Sequence, residues 1–245
     1  MWLKIILIIV VILFTITLII KRFAYFRPSY YFIEQTKEYD DIYEGNLHAW
    51  YKKGITEKVI LFCHGNAGNL SYRQNKLNEL SKLGYSVLIF DYSGFGKSKG
   101  SPNEQLCYSN GDIFVNYLTR KGYKIQNIIP YGESLGAAIA AYIARKYKLS
   151  ILIIESGLPG VKYLIKNWYP KLFFLQYIFN EFDTISYLNG YTGNTLVMHC
   201  INDEIVPYNT TENMRKLATY SIDMEGTHNN PIIPWNKIKE FIEKI

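Results

Sequence analysis

Tyr131-Gly132-Glu133-Ser134-Leu135-Gly136-Ala137-Ala138 decides how this chain is read. An apolar run, Asn127-Ile128-Ile129-Pro130-Tyr131, stops where it begins, and strong helix formers fill positions 137–148. Gly132-x-Ser134-x-Gly136 therefore stands between a short strand and a helix, the setting of a nucleophile elbow. A turn that tight strains its middle residue and lifts the side chain clear of the sheet. Glycines two positions to either side leave room where strand and helix crowd together. The free N–H groups at the helix start point at whatever the serine meets. A plain strand-to-helix turn with a capping serine uses the same letters, so the rest of the chain has to decide between the two.

Working outward, strands are expected over 39–43 and 47–51. Another is expected over 58–63, where Lys58-Val59-Ile60-Leu61-Phe62-Cys63 forms the continuous apolar run of a strand covered on both faces. His64-Gly65-Asn66-Ala67-Gly68-Asn69 follows as a loop, then a helix over 71–82 closed by Gly84. Further strands are expected at 85–90, 127–131, 151–154, 195–199 and 221–224, with helices at 103–121, 137–148, 209–217 and 235–244. Such alternation predicts an α/β fold, a mostly parallel central sheet with helices on both faces. Residues 158–190 break the pattern with Trp168, Tyr169, Phe173, Phe174, Tyr177, Phe179 and Phe182, and read as a small lid insertion packed over the sheet's edge.

The 245 residues suit one sizeable domain. Apolar residues at 49% and charged ones at 20% exclude a disordered chain. The net charge of +6 is spread among acids and asparagines without a basic stripe, so no nucleic-acid partner is expected. Cys63, Cys107 and Cys200 form no regular spacing, which gives neither a disulfide framework nor a zinc pattern. Cys63 and Cys200 fall at strand ends and read as small buried hydrophobes.

Residues 5–20 carry no charge, and only Thr15 and Thr17 interrupt their apolar side chains. Extended back to Met1, the run makes roughly 30 Å of helix, about the hydrocarbon thickness of a bilayer. Lys4 can snorkel to the interface. Leu18-Ile19-Ile20-Lys21-Arg22-Phe23 offers no small-residue cleavage site, and an all-round apolar surface argues against a core helix. Residues 1–22 are therefore expected to be an uncleaved transmembrane anchor, followed by one domain over 23–245. Lys21, Arg22 and Arg27 outnumber Lys4 and the amino terminus, which points to a single-pass membrane protein with its domain on the cytoplasmic side.

In open α/β sheets, sites lie beyond the carboxyl ends of the strands. The loops expected there span 64–69, 91–97, 132–136, 155–157, 202–207 and 226–230. A serine nucleophile needs a base, and the base needs an orienting carboxylate. His48 and His199 fall on strands, and His64 begins a loop where a structural task is expected. His228 alone follows the last strand, in the order serine, acid, histidine. Asp203 is favoured as the acid because it follows the 195–199 strand directly. Glu155 competes from the end of the preceding strand, and Glu204 would point differently. Asp91 precedes the serine and is expected to tie down a glycine-rich turn. The oxyanion donors are expected to be the N–H groups of Leu135 and Asn66.

Four motifs in this order, Phe62-Cys63-His64-Gly65-Asn66-Ala67-Gly68-Asn69, Asp91-Tyr92-Ser93-Gly94-Phe95-Gly96-Lys97-Ser98, Tyr131-Gly132-Glu133-Ser134-Leu135-Gly136 and Asn202-Asp203-Glu204-Ile205-Val206-Pro207, are completed by Gly226-Thr227-His228-Asn229. Together they resemble the α/β-hydrolase superfamily, and within it the Bem46-like group with its membrane-anchored ABHD-type proteins. The resemblance implies Ser134 as nucleophile, Asp203 as acid and His228 as base, with no metal and no organic cofactor. Cys200 and Thr227 depart from it, each standing where the group commonly has glycine.

The function expected is that of a membrane-anchored serine hydrolase, carboxylesterase-, lipase- or thioesterase-like, cleaving an ester, thioester or amide through an acyl-enzyme. The anchor and aromatic insertion suggest a small-molecule or lipid acyl substrate, or an acylated protein, reached from the bilayer. A silent binding module of the same fold would show a broken triad, and every member is present here. An acyltransferase would use the same residues.

Overall fold

Val59, Leu61 and Cys63 pack into one hydrophobic cluster while Ile60 and Phe62 pack into another, the period-two alternation of a strand buried on both faces. The computed structural model describes Trp2, Lys4, Ile5, Leu7, Val11, Ile12 and Thr15, then residues 25–34 and 38–245. The expected anchor, residues 1–22, lies for the most part outside these. Among the described residues no helix is long and apolar enough to cross a membrane.

The sheet is built from β1 (Asp40–Glu44), β2 (Leu47–Lys52), β3 (Val59–Cys63), β4 (Ser86–Phe90), β5 (Ile128–Glu133), β6 (Ile151–Glu155), β7 (Asn194–Cys200) and β8 (Tyr220–Met224). Their order across the sheet is β8-β7-β6-β5-β3-β4-β2-β1. β2 pairs antiparallel with both neighbours, and every other pairing is parallel. The helices are α1 (Gln74–Lys82), α2 (Glu104–Arg120), α3 (Gly136–Lys146), α4 (Val161–Trp168), α5 (Thr184–Leu188), α6 (Glu212–Leu217) and α7 (Trp235–Glu243). Leu77 and Leu80 of α1 share one cluster with Ile238, Phe241 and Ile242 of α7. Phe114 and Val115 of α2 share the other with the alanine-rich face of α3. Helices thus cover both faces, as the alternation predicts.

After β4 the chain crosses back to the far side of β3 and starts β5, so the direction of winding reverses between β3 and β5. That reversal brings the loops after β3 and β5 together beyond the strands' carboxyl ends, where sites of such sheets lie. The predicted elements match the observed ones to within a few residues, with Asn103 capping α2 by accepting from Leu106 N–H at 2.9 Å.

The insertion differs from expectation in its seat. It forms α4, a 3-10 segment over Pro170–Tyr177, and α5, and it rests on helices, not on the sheet's edge. Tyr187 packs edge-on against Tyr108 of α2 and Tyr142 of α3, and Arg145 donates to Ser186 O at 2.7 Å. Of the aromatics that mark the insertion, Phe182 is buried, while Trp168, Tyr169, Phe174 and Tyr177 are exposed.

Candidate active site

β5 ends in a backbone that only a special sequence tolerates. Ser134 has φ of 53°, a left-handed conformation that costs a non-glycine residue about 1–3 kcal/mol. The surroundings hold it there: Ser134 N–H donates to Glu155 O at 3.0 Å, and Ser134 O accepts from Ala137 N–H at 3.1 Å and Leu158 N–H at 2.9 Å. Only glycine fits on either side. A Cβ on Gly136 would lie 2.0 Å from Cys63 O, and one on Gly132 would lie 2.5 Å from Ala137 Cα. The capping-serine alternative therefore fails, because the Ser134 side chain turns to His228.

His228 Nε2 lies 3.0 Å from Ser134 Oγ, and its Nδ1 lies 2.8 and 3.0 Å from the two oxygens of Asp203. Asp203 Oδ1 also accepts from Ile205 N–H at 3.0 Å and Val206 N–H at 2.7 Å. A carboxylate so engaged can only accept, which sets the proton of His228 on Nδ1 and leaves Nε2 facing the serine. Burial alone would raise the Asp203 carboxyl, but hydrogen bonds from His199, His228 and Val206 N–H outweigh it and hold the group well below the usual carboxylate range. Glu204 accepts from His228 N–H at 3.1 Å, which steadies the loop instead of the imidazole. The Cys200 thiol lies 3.5 Å from the carbonyls of Glu225 and Thr227, so both departures from the resembled pattern meet behind the His228 loop.

The remaining candidates are occupied elsewhere. His48 is buried on β2 with Nε2 2.6 Å from Asp41, and His64 Nδ1 lies 2.7 Å from Gly65 O. Asp91 accepts from Leu70 N–H at 2.8 Å, so its carboxylate holds the loop after β3, and Gly96 of the glycine-rich turn passes so close that a Cβ there would meet Oδ2 at 2.1 Å. Glu155 accepts from Lys76 at 2.5 Å and Tyr131 at 2.7 Å, contacts that engage both of its oxygens away from His228.

Two features escape a reading of the sequence. His199 is buried as expected, but its Nε2 faces Val206 O at 2.8 Å and Asp203 Oδ2 at 3.2 Å. Both are acceptors, so Nε2 carries the proton and Asp203 has a second imidazole donor. The signal was the His199-x-x-x-Asp203 spacing across a strand end. The second feature is an ion cluster under the elbow, where Glu133 accepts from Arg73 at 2.8 Å and Lys76 at 3.0 Å. Burial opposes its charge, but Arg73 and Lys76 outweigh burial and hold Glu133 well below the usual range.

The loop after β3 runs against the serine. A Cβ on Gly65 would lie 3.2 Å from Ser134 Cβ, which puts Asn66 one residue from contact with the elbow. Leu135 is the N-cap of α3. Among the described residues no group of three or more His, Cys, Asp or Glu side chains is placed to hold a metal ion.

A family profile for the alpha/beta hydrolase fold matches residues 58–154. An uncharacterised protein of Acanthamoeba polyphaga mimivirus is 31% identical over 206 residues, which cover 73% of this chain and 69% of that protein. Lysophosphatidylserine lipase ABHD12 of Danio rerio is 29% identical over 210 residues, 76% of this chain and 54% of the lipase. An esterase from Pyrococcus furiosus superposes with a TM-score of 0.72 over 89% of this chain and 98% of the esterase. Its 18% identity makes that a likeness of fold. The profile match, together with the 31% identity to the mimivirus protein over more than two thirds of both chains, makes the chain a member of the α/β-hydrolase family.

Proposed function

We propose that the protein is a membrane-anchored serine hydrolase that cleaves an ester, thioester or amide by way of an acyl-enzyme. One observation carries the reading: a single imidazole bridges a strained, half-buried serine hydroxyl at 3.0 Å and a carboxylate at 2.8 Å. In that arrangement Ser134 Oγ bonds to the acyl carbon as its proton passes to His228 Nε2. His228 then gives the proton to the departing alcohol, thiol or amine, and the acyl–leaving-group bond breaks. Water repeats the sequence in reverse, its proton going to Nε2 and then to Ser134 Oγ as the acid leaves. Asp203 holds the tautomer and stabilises the imidazolium. The N–H groups of Leu135 and Asn66 receive the oxyanion, each worth about 2.7–4 kcal/mol in such sites.

The anchor over residues 1–22 and an apolar acyl substrate, lipid or acylated protein, belong to the same proposal. Supporting them are the uncharged 5–20 run and the exposed Trp168, Tyr169, Phe174 and Tyr177 of the insertion. The lipase activity in the name of the Danio rerio relative agrees with such a substrate.

The test is labelling of the full chain in its membrane with a fluorophosphonate probe. The wild type should label and Ser134→Ala should not. A well-folded wild type that takes up no probe overturns the reading and leaves a binding module of the same fold. Alkaline carbonate should fail to extract the full chain, and protease access from each side of sealed vesicles reads its orientation.

A further inference from the structure

Residues 25–34, the segment that joins the proposed anchor to the sheet, run along the loop that follows β3. Arg27 N–H reaches both the side-chain oxygen of Asn66 at 3.0 Å and its carbonyl at 3.4 Å. Arg27 and Pro28 pair in parallel with Ala67 and Gly68, and Ser29 N–H donates to Gly68 O at 3.0 Å. Buried Asn69 sends its side-chain N–H groups back to Ser29 O at 2.9 Å and Tyr31 O at 2.8 Å, while Ile33 N–H donates to Ser71 Oγ at 2.9 Å. The contacts therefore fall residue by residue on 66–71. Upstream, Tyr25 and Phe26 are buried against Phe182 of the insertion, and Tyr25 hydroxyl donates to Glu181 at 2.9 Å.

The same loop is gripped from its other side. Arg73 donates to Ala67 O at 2.7 Å with one nitrogen and to Glu133 at 2.8 Å with the other, which links the loop to the residue next to Ser134. Asn66 thus lies between a clamp that refers it to the elbow and a strap that refers it to the chain's entry into the domain. An oxyanion donor is useful only if it is fixed where the charge develops, since a site reorganised during the reaction loses most of the benefit.

We propose that residues 25–34 are a positioning strap for the oxyanion hole, holding the Asn66 N–H at its distance from Leu135 N–H and coupling that distance to the membrane-proximal entry of the chain. The proposal rests on the hydrolase reading above.

Two variants of the full, membrane-embedded chain separate positioning from folding. Arg27→Pro removes the N–H that Asn66 accepts, and Arg27→Ala, which keeps it, is the control. Asn69→Asp removes both donors to the strap but keeps the side-chain oxygen that accepts from Ser71 N–H at 3.0 Å. Arg27→Pro and Asn69→Asp should lower kcat toward the roughly 100-fold loss of one oxyanion donor, with KM within about threefold; Arg27→Pro should melt close to wild type, and Asn69→Asp, which sets a carboxylate against two carbonyls, should melt lower. Affinity for a trifluoromethyl ketone, which forms the tetrahedral adduct, should fall in proportion to kcat, and Arg27→Ala should match wild type. Hydrogen exchange at 66–69 reports whether the strap has come away. Accelerated exchange with unchanged kcat overturns the proposal, as does a change in KM alone. Should Asn69→Asp fail to fold, the Arg27 pair decides. A wild type without Ser134-dependent labelling removes the hydrolase reading itself, whereas an active wild type with indifferent variants removes only the strap.

Discussion

Two carboxylates at the heart of this fold are each flanked by two imidazoles, and only one of the assemblies has the layout of an active site. Asp203 lies 2.8 Å from His228 and 3.2 Å from His199, and Asp91 lies 3.6 Å from His48 and 3.5 Å from His64. The carboxyls are alike in charge state too: burial opposes ionisation of both, the neighbouring imidazoles and backbone N–H groups outweigh it, and both are held below the usual range. The difference lies at the outer nitrogens. His228 turns its own to Ser134 Oγ at 3.0 Å, and its side chain is 10% exposed. His48 turns its outer nitrogen to Asp41 and His64 to Gly65 O, and both side chains are sealed at 0%. A carboxylate–imidazole pair is common material for tying loops together. It becomes a proton relay only where the far nitrogen meets a hydroxyl that a substrate can reach.

The sharpest way to break that comparison is to neutralise Asp203 and, in turn, its competitor for the role of acid, Glu155. Asp203→Asn should lower kcat by about 10⁴-fold, the cost of the wrong imidazole tautomer in such triads, while Glu155→Gln should cost far less. Steady-state kinetics on the two purified variants checks the ranking. A larger loss in Glu155→Gln would move the acid to β6 and undo the pairing of Asp203 with His228.

The second imidazole of Asp203 comes next. A hydrogen bond to a charged group contributes about 1.5–3 kcal/mol, so His199→Phe should lower kcat by roughly 10- to 100-fold through a less well-held carboxylate. Unchanged turnover in His199→Phe would return His199 to the role of a core residue that happens to stand nearby.

The asymmetry also explains what the sequence makes legible. The order of strands, the elbow and the Ser134, Asp203 and His228 positions are all carried by local signals: apolar runs, two glycines and residues at loop starts. Their chain order then does the assembling. His199 and Arg73 were not legible because their partners come from tertiary structure. His199 sits on a strand whose side chains point alternately to two cores, and nothing local says that its ring meets the turn four residues on. Arg73 and Lys76 lie on and beside an amphipathic helix, where basic residues ordinarily face water, and here they fold under β5 to meet Glu133 and Glu155. The seat of the insertion is not legible for a related reason, since an aromatic-rich stretch does not say which of its rings are buried or against what.

Asp91→Asn is the smallest expected effect on turnover and the largest on stability. Its carboxylate touches no residue of the proposed triad, so kcat per folded molecule should stay within about tenfold, the upper end of what loss of one ordinary hydrogen bond costs. Stability behaves differently. Breaking a buried charged assembly costs about 3 kcal/mol, roughly 6–12 °C in melting temperature for a chain of this size. The sign of the pH dependence follows from the lowered carboxyl. A native pKa below the unfolded value of about 3.9 contributes stability that is complete above that value and is lost as pH falls below it. Wild type should therefore lose melting temperature progressively on acidification below about pH 4, and Asp91→Asn should start lower and lose less over the same range. Differential scanning calorimetry between pH 3 and 7 reads both slopes, taking roughly that window from the unfolded carboxyl pKa. If Asp91→Asn instead abolishes turnover while melting like wild type, the sealed cluster works with the open one, and the two assemblies are halves of a single relay.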